Sequence, residues 1–147
     1  MAIQNIPERI RFFIHPLPLS AVLLMAINDH WLKYHYGNVL TGKLSDFCGV
    51  FYFPIFLLAV VVTVNELFGR RPVAMSPPLT LGAIFFTDFL MLLVKLSAPS
   101  SRIIEAFFSN YLFSIRLIQD PTDLLALAVN PLTYFYLKSY WAGSKLT

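Results

Sequence analysis

Charge is scarce in this sequence. Of its 147 residues, 13% are Asp, Glu, Lys or Arg, about half the share of an ordinary soluble protein. No cationic run is longer than Arg70-Arg71, which excludes the clustered basic footprint of a nucleic-acid-binding surface. Cysteine occurs once, at Cys48, so an intrachain disulfide is excluded. Between Phe47 and Gly49 at the start of an apolar run, that thiol reads as a small buried hydrophobe. The stretch from Met1 to Phe13 has no apolar core followed by a small-residue cleavage site, so it does not read as a signal peptide. The first apolar segment is therefore expected to serve as its own uncleaved insertion signal. Ile10, Phe12, Phe13 and Ile14 among Glu8, Arg9 and Arg11 suggest a short interfacial arm before it.

Hydrophobic residues, by contrast, make up 57% of the chain, and the mean hydropathy is +0.66. A soluble domain of this size has too little interior to hide that much apolar surface. The composition excludes disorder, collagen and an ordinary soluble enzyme, and it points to an integral membrane protein.

Four apolar segments stand out, and the expected spans are 16–35, 46–68, 78–97 and 123–142. In the first, Pro16 and Pro18 suit a helix start, where a missing N–H costs nothing. Asn28, Asp29 and His30 end its uninterrupted apolar part, so polar groups must sit within or at the edge of the bilayer. In the second, Phe47 to Val64 carries no charge. Ser45 or Asp46 is expected to cap it, Gly69 to end it, and Pro54 to kink it. The third carries Asp88 near its middle and Lys95 near its end. The fourth contains Asn130-Pro131 and closes on Tyr134, Phe135, Tyr136, Tyr140 and Trp141, an aromatic belt with Lys138 reaching toward water. Between spans three and four, Ile103, Ile104, Phe107, Phe108, Tyr111, Leu112 and Ile115 recur at helical spacing. Arg102, Glu105, Ser109, Asn110 and Arg116 interleave with them, so residues 101–118 are expected to form an amphipathic surface helix or a lid over the bundle.

The fold class expected is an all-α integral membrane protein, one domain over residues 1–147 with four transmembrane helices. Ser45-Asp46 with Pro54 can be laid on Thr122-Asp123 with Pro131 at a constant offset, which raises the reading of two repeated helical hairpins. Ser/Thr-Asp is also simply a good helix start, so coincidence remains the competing explanation. Lys and Arg placement sets the expected orientation. Arg9, Arg11, Arg70, Arg71, Lys138 and Lys145 lie on one side and Lys33, Lys43, Lys95, Arg102 and Arg116 on the other. That small excess puts both termini in the cytoplasm, and the reverse orientation is the alternative.

Helices of alternating direction bring Asp29, Lys33, Lys43, Ser45, Asp46, Lys95, Thr122 and Asp123 to one end of the bundle, with Asp88 deeper. Asp29 and Lys33 are four apart in the favourable acid-first order. Asp88 and Lys95 are seven apart, on one face but about 10 Å apart along the axis. These nine residues are the candidate polar cluster. Other signatures fail. Gly42-Lys43 lacks the upstream glycine and the following hydroxyl of a phosphate loop. His30 and His35 are five apart and His15 belongs to the other end, so no metal site is expected. No catalytic residue and no cofactor is expected either.

The runs Asn28-Asp29-His30-Trp31-Leu32-Lys33, Leu40-Thr41-Gly42-Lys43-Leu44-Ser45-Asp46-Phe47 and Asp120-Pro121-Thr122-Asp123-Leu124-Leu125-Ala126-Leu127 resemble small uncharacterised bacterial multi-pass membrane proteins. The resemblance covers most of the chain after residue 20. It implies a bacterial inner-membrane setting and transfers no catalytic role. The expected function is that of a non-enzymatic channel- or transporter-like component whose polar cluster handles an ion or small polar ligand. It would sit in the lipid bilayer as a homo-oligomer or beside a partner membrane subunit, since four short helices enclose little volume. One alternative is an accessory, assembly or sensor subunit, with the charges as structural or partner contacts. A weaker one is a lipid-modifying membrane enzyme using Asp46 or Asp123 as acid or base.

Overall fold

The computed structural model describes residues 10–69, 73–111 and 119–143. Among them every regular element is helical. Two helices, α3 and α4 below, are long and apolar enough to cross a membrane.

Helix α1 (Pro16–Ile27) starts on its prolines, with His15 as N-cap. It runs into a π-helical turn (Asn28–Leu32) and a final α-turn, α2 (Lys33–Tyr36). Gly37 ends the rod at φ 45°, a left-handed conformation that costs a glycine little. Asn38 then starts α3 (Val39–Leu67) with a capping box: the Thr41 amide donates to Asn38 Oδ1 at 2.9 Å, and the Asn38 amide donates to Thr41 Oγ1 at 3.1 Å. This corrects the expected start of the second segment. The box satisfies the orphaned N–H groups about two turns before Ser45, so Ser45 and Asp46 lie inside the helix, with side chains turned to other partners. The helix continues unbroken through Pro54 to Phe68 and Gly69, the latter at φ 61°.

α4 (Pro77–Leu96) returns toward the first end, and α5 (Ala98–Tyr111) follows after Ser97. α5 packs on α4 alone among the regular elements. It covers the first part of the expected amphipathic helix and starts three residues earlier; residues 112–118 lie outside the described residues. The last rod opens as a 3-10 helix (Pro121–Val129) and becomes α6 (Asn130–Gly143). A 3-10 run of this length is uncommon. Its buried positions, Asp123 and Ala126, are three apart, as the three-residue turn requires. The stretch laid on it by the repeat, Ser45 to Val50, is α-helical interior, so the two halves of the supposed repeat have different backbones.

α3 is the central rod. It packs against α1, the π turn, α4, the 3-10 helix and α6. Its buried residues Phe51, Ile55, Leu58 and Ala59 join Phe12 and Leu137 in the core. Tyr136 donates to the Phe12 carbonyl at 2.6 Å and ties the segment before α1 to α6. The outer faces are apolar. Of the most hydrophobic window of α4 only 17% is buried, and Phe85, Phe86 and Phe89 stand exposed. Leu19, Leu23, Val60, Val64, Leu132 and Phe135 do the same on the other rods. An apolar groove of about 340 Å³ lies between α3 and α4, lined by Leu57, Val61, Leu79, Gly82 and Phe86.

Candidate functional site

Because the rods alternate in direction, the end of α1–α2, the start of α3, the end of α4 and the start of the 3-10 helix meet at one end of the bundle. The charges there form a continuous network. Lys95, in the last turn of α4, lies 2.6 Å from Asp123 Oδ2 and 3.3 Å from Asp46 Oδ1. Lys43 lies 2.8 Å from Asp123 Oδ1 and 3.3 Å from Asp120 Oδ2, and it also donates to the Thr122 hydroxyl. Asp123 is the hub, one lysine on each oxygen, and it is buried. The 3-10 pitch helps place it there. Over the seven steps from Asn130 back to Asp123, a rise of about 2.0 Å rather than 1.5 Å carries the carboxylate roughly 3.5 Å further toward this end.

Asp120 was absent from the sequence-derived cluster. It is the N-cap of the 3-10 helix, accepting from the Thr122 amide at 2.9 Å and the Thr122 hydroxyl at 2.6 Å. Those two bonds, and then Lys43, hold its carboxyl below the usual carboxylate range. An Asp-Pro-Thr run is the sequence signal for such a cap. Asp46, Asp120 and Asp123 thus set three carboxylates against the two ammonium groups of Lys43 and Lys95.

Beside this network lies a second group. Lys33 pairs with Asp29 at 2.6 Å, and Ser45 donates to the same Asp29 oxygen at 2.5 Å. Asn28, fully buried in the π turn, donates to Ser45 Oγ at 2.8 Å and to the Thr41 carbonyl at 2.7 Å. Sequence reasoning left Asn28 out of the site. A carboxamide at the end of an apolar run, directly before an aspartate, was the available signal. π turns are frequent where a helix must aim a side chain at a functional site.

Asp88 stands apart from both groups. It is the twelfth residue of α4, roughly 17 Å from the helix start and 12 Å from its end. Asn130, the first residue of α6, donates through Nδ2 to both of its carboxylate oxygens, at 3.0 and 2.9 Å. The two cross-links between α4 and the last rod, Lys95–Asp123 and Asp88–Asn130, are seven residues apart on both sides. In the sequence Asn130 stands out only as an interruption of span four.

No family model matches this chain, and no curated protein or solved structure does either. The chemistry is therefore argued from the residues themselves. Among the described residues no group of three or more His, Cys, Asp or Glu is arranged to hold a metal ion. The network at this end joins three carboxylates, two ammonium groups and the Thr122 hydroxyl in one connected set. A carboxylate at the level of Asp88 inside a bilayer costs roughly 2.5–3.5 kcal/mol on insertion scales, and Asn130 offers it hydrogen bonds without neutralising it.

Proposed function

We propose that this chain is a four-span membrane protein, non-enzymatic, whose charged mouth handles an ion or small polar ligand. The spans in this reading are α1 through α2, α3, α4, and the 3-10 helix with α6. At the usual rises these rods measure about 31, 43, 30 and 39 Å, each enough for a hydrocarbon core of about 30 Å. The observation that carries the reading is the contrast between surfaces. The sides of the rods are apolar and exposed, while Lys43, Asp46, Lys95, Asp120 and Asp123 from three elements converge at one end. The three-to-two excess of carboxylates there favours a cation over an anion. Counted along the sequence, Lys and Arg stand six to five in favour of the end that carries Arg11 and Lys138, and we place that end, with both termini, in the cytoplasm of a bacterial inner-membrane protein.

A second reading is an accessory or assembly subunit of a larger membrane complex, or a homo-oligomer. It is favoured by the way Lys43 and Lys95 bridge α3, α4 and the 3-10 helix, as pins that set helix register. Reconstitution into liposomes separates the two. The ion-handling reading expects cation flux above that of protein-free vesicles, altered by Asp46→Asn without loss of the folded, correctly sized particle. Absence of flux in the wild type, together with lowered stability of Asp46→Asn in detergent, would favour the accessory role.

A further inference from the structure

The apolar groove between α3 and α4 plays no part in the charged mouth. Its walls include Leu57 and Val61 of α3 and Pro78, Leu79, Gly82 and Phe86 of α4, and no polar side chain lines it. Along α4 it runs from Pro78, the second residue of the helix, to Phe86, the tenth, about 12 Å. It therefore begins at the α3–α4 link and stops near the middle of a rod about 30 Å long. That is close to the depth of one leaflet, about 15 Å of the hydrocarbon core. Gly82 keeps the groove open at half depth: a Cβ there would meet no neighbouring atom within 4 Å.

Width decides the occupant. A volume of about 340 Å³ spread over that length leaves a bore about 6 Å wide. A helix of a second copy or of a partner is about 10–12 Å across with its side chains, so it stays outside such a slot. A single hydrocarbon chain enters it and touches both helices, whereas a chain lying on exposed Phe85 or Phe89 leans on α4 alone. Each added contact supplies dispersion that an empty slot forfeits. The end where the groove begins is cationic. From Asn65 to Thr80 the sequence holds Arg70 and Arg71 against a single acid, Glu66, and basic residues at a membrane boundary attract anionic headgroups. We propose that the groove is a binding site for one acyl chain of an anionic phospholipid, its headgroup at the α3–α4 link. The inference rests on the membrane-spanning part of the reading above and not on its ion-handling part.

The test uses the full-length protein in phosphatidylcholine nanodiscs with a trace of phosphatidylglycerol carrying a diazirine midway along one acyl chain. Illumination inserts the resulting carbene into whatever the chain touches, and mass spectrometry locates the adducts. Adducts on Leu57, Val61, Leu79 and Phe86 should saturate as the probe fraction rises. Those on Phe85 and Phe89 should grow in proportion to it. A phosphatidylcholine probe with the same chain should label the groove about fivefold less, the effect of one excess cation, and Phe85 and Phe89 equally. Gly82→Leu fills the slot from α4 and suits a helix better than glycine does, and Val61→Phe narrows it from α3. Either variant that keeps the folded particle should cut groove adducts at least about tenfold and leave those on Phe85 and Phe89 unchanged. Groove adducts that never saturate, or that survive both variants, come from bulk lipid and overturn the proposal. A groove without adducts in a particle of dimer mass is filled by a second copy and overturns it too. Equal groove labelling by the two probes refutes the anionic headgroup. A chain that does not insert into nanodiscs removes the four-span reading together with the site, whereas an inserted chain labelled evenly removes the site alone.

Discussion

Replacing Lys95 with methionine is the sharpest probe of the mouth. Methionine keeps most of the side-chain volume and removes the charge. Lys95 is 12% exposed and Asp123 is 9% exposed, with 2.6 Å between them. Deleting one member of so sheltered a pair leaves an uncompensated carboxylate, and such losses cost about 3–5 kcal/mol. Lys43 remains on the other oxygen of Asp123 at 2.8 Å, so the lower end, about 3 kcal/mol, is expected. Asp46 also loses its lysine. The matched control is Lys33→Met. Its pair with Asp29 is 39% and 42% exposed, and exposed pairs contribute about 0–1 kcal/mol. Unfolding in mixed micelles of increasing sodium dodecyl sulfate fraction, followed by tryptophan fluorescence, measures both. Lys95→Met should shift the unfolding equilibrium by about two orders of magnitude and Lys33→Met by less than one. Adding Asp123→Asn to Lys95→Met should restore part of the loss, because it removes the stranded charge. Equal effects of the two single substitutions would refute the argument that Asp123 is the buried hub.

Other substitutions test other parts of the fold. Asn38→Ala removes half of the α3 capping box and should cost about 1 kcal/mol, while chemical-shift changes remain confined to the start of α3. Tyr136→Phe strands the Phe12 carbonyl and should cost about 1–3 kcal/mol in the same unfolding assay; a change within about 0.5 kcal/mol would show that water replaces the bond. Asp120 is held below the ordinary carboxylate value first by Thr122 and then by Lys43. A carboxyl depressed in the folded state stabilises above its unfolded value, about 3.9, and loses that contribution as pH falls through its folded value. Thr122→Val removes the hydroxyl donor, so the Asp120 midpoint followed by carboxyl-carbon NMR should rise and the acid loss should begin at higher pH.

Much of the site was legible because helix direction alternates. Once the apolar segments are laid antiparallel, Asp29, Lys33, Lys43, Asp46, Lys95 and Asp123 must reach one end, whatever the packing. Asp29–Lys33 needed only helical spacing. The cap of α3 is ambiguous in the sequence for a local reason. Ser45-Asp46 and Asn38-x-x-Thr41 are both good starts, and the Gly37 turn just before Asn38 favours the earlier one. The 3-10 helix had no such signal. Pro121 and Asp120 mark a helix start but not its pitch.

Composition and periodicity alone therefore determined that the chain is helical and oily, and which end gathers its charges. Those properties depend on the order of residues along each rod. Tertiary structure decided which charge meets which: Asp123 between Lys43 and Lys95, Asn28 against Ser45, and Asp88 opposite Asn130 rather than any lysine. Such pairings depend on the rotation of each rod about its axis and on the pitch of the last one. Both are properties of the packed bundle, in which Phe51, Ile55 and Leu58 of α3 share one core with Phe12 and Leu137, and no single segment contains that information.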